Sequence, residues 1–109
     1  MVINIKTNNN LKSTIAIAAL QGVIDPEIGL NVADLGLIYE IDFDEPEKKI
    51  RTTMTLTTQF CPMGESIVGN VTQAMQEIFP EDAIEVNLIF DPPWTYEMIS
   101  EEGQKFLNG

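Results

Sequence analysis

The chain has 109 residues, 44% of them apolar, and carries 17 acidic against six basic side chains for a net charge of −11. That is one domain with enough apolar content for one core. No apolar run approaches the ~20 residues of a membrane-spanning helix, and the acidic surplus repels phosphate and so argues against nucleic acid. With no histidine in the chain, Ser-His-Asp triads, Cys-His dyads and HExxH zinc sites are excluded; CxxC, P-loop and GxGxxG patterns are also absent.

The first ten residues, ending in Asn8-Asn9-Asn10, read as a loose or strand-like lead-in, with Asn10 placed to cap a helix. Residues 11–22 then predict that helix, with Leu11, Ile15, Ala18 and Ala19 on one stripe. Gly22 and the Asp25-Pro26 step end it, because a residue before proline avoids the α region. Residues 25–36 have turn chemistry throughout. Residues 35–43 alternate, with Leu37, Tyr39, Ile41 and Phe43 on one face. After a polar turn, residues 50–57 alternate again, Ile50, Thr52, Met54 and Leu56 opposing Arg51, Thr53, Thr55 and Thr57. Together they predict a half-buried hairpin with one polar face. The period turns helical from Pro62 to Phe79, with Ile67, Val71, Ala74, Met75 and Ile78 on its stripe. Residues 83–90 form a third alternating run, through Ile84, Val86, Leu88 and Phe90. A short helix follows Ser100, whose hydroxyl suits a cap. The order α-β-β-α-β-α implies an α+β fold: a two-layer single domain over residues 11–109, with helices on one face of a three-stranded sheet. A strand–helix–strand crossover in one sheet is right-handed.

Cys61 is the only cysteine. It cannot form an internal disulfide, which suits a reducing compartment. The opening residues lack a secretory h-region, so the expected location is cytoplasmic. Cys61 lies between the second strand and Pro62, and proline favours the first helical position. Cys61 would then sit at the N-cap, where free N–H groups and the helix dipole favour thiolate over thiol. The alternative is a small buried apolar residue. As a metal ligand, one thiolate cannot hold an iron–sulfur cluster, which takes several. A homodimer with one Cys61 per chain, completed by small thiols or a recipient protein, would give a weak and transferable site.

Three acids and one aromatic complete the candidate set. Asp25 reads as an Asx turn or as a polar group facing Cys61, and Asp34 as turn or pocket. Trp94, stiffened by Pro92 and Pro93, reads as a core edge or as an interface anchor. If the third strand runs parallel to the second, Asp91 and Cys61 share one edge of the sheet, with Asp25 and Asp34 gathered there.

The segments VIDPEIGLNVADLGLIYEI (23–41), MTLTTQFCPMGESI (54–67) and DPPWTYEMISEEG (91–103) resemble the three signatures of the MIP18-like family, formerly DUF59. That family includes iron–sulfur assembly factors of the SufT type and the PaaD-type subunit of phenylacetate degradation. The resemblance implies a compact α+β fold and iron–sulfur maturation rather than catalysis. It marks Cys61 as the functional thiol and possible cluster ligand. The implied pocket contains Asp25, Glu27, Asp34, Thr57, Thr58, Pro62 and Asp91, with Pro92, Pro93 and Trp94 as a partner-binding loop. Gln59-Phe60 departs from the smaller residues expected before the cysteine. The sequence also lacks the cysteine-bearing C-terminal part of PaaD-like proteins.

The leading expectation is therefore a maturation factor that carries a transient cluster, shared between subunits or passed to assembly machinery or client apoproteins. No membrane or nucleic-acid partner is expected. The second is a PaaD-like adaptor that binds an oxygenase or other client without touching metal. A thiol enzyme is the third; without histidine it lacks an evident base.

Overall fold

The computed structural model describes residues 5–58 and 64–108. Its elements are β1 (Lys6–Thr7), α1 (Asn10–Leu20), β2 (Ile38–Asp44), β3 (Lys49–Met54), α2 (Gly64–Ile78), β4 (Ala83–Leu88), a 3-10 turn (Tyr96–Met98) and α3 (Glu101–Asn108). The α+β class is as expected, but the sheet has four strands, in the order β1-β2-β3-β4.

The extra strand comes from the supposed lead-in. Lys6 and Thr7 pair parallel to Glu40 and Ile41 of β2. Asn8 prolongs that pairing with its side chain: its Oδ1 accepts from Phe43 N (2.9 Å) and its Nδ2 donates to Phe43 O (3.0 Å). Asn9, not Asn10, caps α1, accepting from Lys12 N at 3.0 Å. The asparagine run thus joins a strand to a helix through side chains that imitate backbone.

The face of α1 also differs from expectation. Ser13, Ala16 and Leu20 are buried, whereas Leu11 is 76% and Ile15 48% exposed. IAIAAL is apolar all round, so its period does not select a face; packing does, through α2.

Strands β2 and β3 pair antiparallel, and β3 and β4 pair parallel from Lys49↔Ala83 to Met54↔Leu88. Helix α2 links those parallel neighbours and packs on β4. Its buried residues Ile67, Val71 and Met75 follow the expected stripe. They meet Ile41, Ile50 and Met54 in one core. Phe43 and Phe79 close its far end edge to face, with ring centroids 5.8 Å apart.

Strand β2 carries a bulge. Ile38 faces Met54 and Glu40 faces Thr53, so two steps on β2 match one on β3 and Tyr39 is the extra residue. The simple alternation expected for β2 fails there: Leu37 and Ile38 are both fully buried, and Tyr39 is only half-buried. Thr55 lies past the end of β3 and is buried rather than on a polar face. Strand β4 stops at Leu88, two residues early, and as the outer strand it leaves Leu88 and Phe90 substantially exposed.

Candidate functional site

The parallel β3–β4 pair sends both chain exits to one end of the sheet, and antiparallel β2 begins there. Backbone bonds extend this end beyond the strands: Thr55 N donates to Leu37 O (2.8 Å) and Ile89 N to Met54 O (2.9 Å). Three segments therefore meet at this end: the loop before β2, residues 55–58 after β3, and the chain after β4. This meets the condition set for the site, parallel second and third strands. Cys61 and Pro62 lie outside the described residues.

Asp25 is fully buried at the head of the loop. Its Oδ1 accepts from Glu27 N at 2.8 Å, the Asx turn expected of an Asp-Pro step. Its main-chain carbonyl accepts from Gly29 N at 2.7 Å, and Gly29 takes φ +83°, open to glycine at little steric cost. The other carboxylate oxygen, Oδ2, is buried with no hydrogen-bond partner among the described residues. The Asx-turn reading of Asp25 thus holds through one oxygen; the other reading, a polar group facing Cys61, involves a residue outside those described. Glu27 is exposed on the same turn.

Asp34 is engaged on both sides. Oδ2 accepts from Asn31 Nδ2 at 2.7 Å and Oδ1 from Ser100 Oγ at 2.8 Å. Ser100 Oγ in turn accepts from Gly103 N at 3.0 Å, capping α3 as expected, while Ser100 N donates to Asp34 O at 2.7 Å. Asp34 is a bolt between the loop and α3.

Trp94 behaves as a core edge. It is half-buried, packs against the core and donates Nε1–H to Leu35 O at 2.6 Å. Its polar handle is thereby used within the chain. Asp91, Pro92 and Pro93 are exposed. Thr57 is half-buried and Thr58 exposed at the exit from β3. Among the described residues, no three acidic, cysteine or histidine side chains converge as a metal-holding group. Asp25, Asp34 and Asp91 therefore do not form a carboxylate cage.

Two contributors were not singled out from sequence. The bulge aims Tyr39 across the sheet end, where its hydroxyl donates to Pro92 O at 2.9 Å with Met98 Sδ at 3.7 Å. Burial pushes the phenol pKa above its ordinary value, with the nearby Thr55 hydroxyl opposing the shift. Thr55 Oγ1 itself is buried without a well-aligned hydrogen bond among the described residues. Gly36 has φ +80°, and a Cβ there would collide with Met98 O. Neither the bulge nor that close approach has a local sequence signal; a tyrosine in an alternating run reads as strand.

A family model described as iron–sulfur cluster assembly protein matches residues 15–88. The chain is similar to the Fe-S protein maturation auxiliary factor SufT of Staphylococcus aureus (strain USA300), 42% identical over 72% of this chain and 88% of that protein. It is similar also to the Fe-S protein maturation auxiliary factor YitW of Bacillus subtilis (strain 168), 39% identical over 75% of this chain and 79% of that protein. A solved domain of unknown function, DUF59, from Bacillus anthracis superposes with a TM-score of 0.82 at 36% identity, covering 91% of this chain and 97% of that one.

Proposed function

Because the chain belongs to the iron–sulfur cluster assembly protein family, we propose that it is a maturation factor that handles a cluster as transient cargo through Cys61. Its role is in the assembly and maturation of iron–sulfur proteins. The cluster is what the protein passes on, and its partners are assembly machinery or client apoproteins.

The observation that carries this reading is Asp25, a fully buried carboxylate with one oxygen that has no hydrogen-bond partner among the described residues. It is held in the loop before β2, at the sheet end toward which β3 runs before the chain reaches Cys61. Leaving a buried acceptor unpaired costs about 1–3 kcal/mol, and such costs persist where a site uses the group. A lone thiol supplies too few ligands for a stable cluster. Weak ligation, completed by a second chain or by a recipient, suits transfer. Asp25 would take a proton-bearing or cationic group during that exchange, and Thr57 and Thr58 would line the approach.

Anaerobic reconstitution with iron and sulfide, for wild type and Cys61→Ala, tests it. The expected result is visible cluster absorption and bound iron that vanish in the variant, with sizing chromatography reporting whether a dimer forms. Wild type and variant that both stay folded and free of iron would shift the reading to a metal-free adaptor.

A further inference from the structure

We propose that the groove between the start of α2 and the outer end of β4 docks the client or assembly partner, and that its occupant is an extended segment alternating apolar residues with lysine or arginine. This rests on the reading of the chain as a maturation factor, and locates where a recipient is held.

The groove is an open apolar cavity of about 530 Å³. Leu56, Val68, Leu88 and Phe90 line it, the last two exposed to 39% and 38%. Gly69 lines it without filling it: a Cβ there would meet nothing within 4 Å. In sequence, Leu56 and Gly64, both of which line the groove, bracket the segment that carries Cys61.

Beside the groove runs an open sheet edge. Strand β4 is outermost, and no described residue pairs with its other side. Edge strands are commonly blunted by lysine, proline or a bulge. The strand AIEVNL contains no lysine or proline, and its register with β3 is continuous. Its one charge, Glu85, is drawn to Lys49 (2.9 Å) and Arg51 (2.6 Å) of β3. An added strand finds free backbone groups there, and every second side chain of it falls on the groove's face.

Charge selects the occupant. A net charge of −11 disfavours a second copy of the chain as the occupant of this groove. Glu65 on the rim and Asp91 beyond Phe90 are both exposed acids. A lysine- or arginine-bearing segment fits this surface, and a second copy does not.

The test uses the full chain and a short fluorescein-labelled peptide alternating valine or leucine with lysine, with a glutamate-for-lysine counterpart, followed by anisotropy. The lysine peptide should bind saturably and the glutamate peptide should not. Leu88→Glu and Phe90→Glu should each weaken binding about tenfold or more, although each adds a negative charge. Leu11→Glu, the same charge change on the exposed face of α1, should leave binding unchanged or tighter. Amide hydrogen exchange in the wild-type chain should slow in β4 when the peptide is added, a readout that needs no variant to fold. Tighter binding to Leu88→Glu and Phe90→Glu would reveal charge attraction alone and overturn the proposal. So would absence of saturable binding or of protection in β4, or a self-associated dimer that Leu88→Glu dissolves. Cys61→Ala should still bind the peptide. In the wild-type chain, cluster loading without docking sinks only the docking surface, and docking without cluster loading sinks only the cluster reading.

Discussion

Replacing Asp34 with alanine tests whether this acid is a bolt or a ligand. The substitution removes the acceptors of two hydrogen bonds, from Asn31 Nδ2 at 2.7 Å and Ser100 Oγ at 2.8 Å. Hydrogen bonds to a charged group contribute about 1.5–3 kcal/mol each. Half-buried Asn31 can recover part of its loss from water, and Ser100 keeps its cap bond to Gly103. The expected destabilisation is therefore about 2–4 kcal/mol. Asp34→Asn retains one acceptor and should lose about half as much. Urea unfolding read by fluorescence of the single tryptophan reports on the same place, because Trp94 is bonded to Leu35 O. With a slope near 1–2 kcal/mol per molar urea, the midpoint should fall by roughly 2 M. A double-mutant cycle with Ser100→Ala should show coupling of about 1 kcal/mol or more. A loss under about 1 kcal/mol with no coupling would refute the bolt, since groups so placed cannot be that weakly linked.

Asp25→Asn keeps the turn acceptor and replaces only the oxygen that has no partner among the described residues, so stability should change by less than about 2 kcal/mol while iron loading falls. A stability loss beyond about 2 kcal/mol in thermal melts would instead make Asp25 structural. Gly36→Ala should destabilise by more than about 2 kcal/mol, through both its positive φ and its collision with Met98 O, as read by denaturant midpoint. Met75→Ala, at a fully buried core position, should cost about 2–5 kcal/mol by the same assay. In absorbance titration near 295 nm, Tyr39 should ionise above the ordinary tyrosine range, and Tyr39→Phe should abolish that upper step. The folded-state pKa is the raised one, so the native state holds the proton longer. Its contribution to stability is complete below about pH 10 and is lost as pH rises through the folded pKa.

Strand β3 and α2 were legible because their inward periods are regular: Ile50, Thr52 and Met54 alternate inward, and Ile67, Val71 and Met75 repeat at helical spacing. Helix α1 was legible as an element but not in its face, since leucine, isoleucine and alanine surround it. Strand β1 spans two residues and depends on Asn8 imitating backbone, a pairing set by distant Phe43 rather than by local pattern. At the site, Asp25 and Ser100 were readable as turn and cap. The bond from Trp94 to Leu35 O and the bulge at Tyr39 depend on which segments the topology brings together, which local pattern does not encode.

The segments around residues 25–36 and 91–103 are hydrogen-bonded directly to each other. Asp34–Ser100, Trp94–Leu35 and Tyr39–Pro92 are three clamps across one end of the sheet. Together with the burial of Leu30, Val32, Ala33, Leu35 and Ile99 in the core, they hold these turn-rich stretches in a fixed shape. The clamps also divide the signature residues into two kinds. Changes at Asp34, Gly36 or Trp94 should lower stability first and cluster loading only as the folded fraction falls. Changes at Cys61 or Asp25 should lower loading with the melting temperature unchanged. Loading measured against stability for such a series should therefore split into two branches. A single line through all the variants would mean that Asp25 acts only as part of the frame.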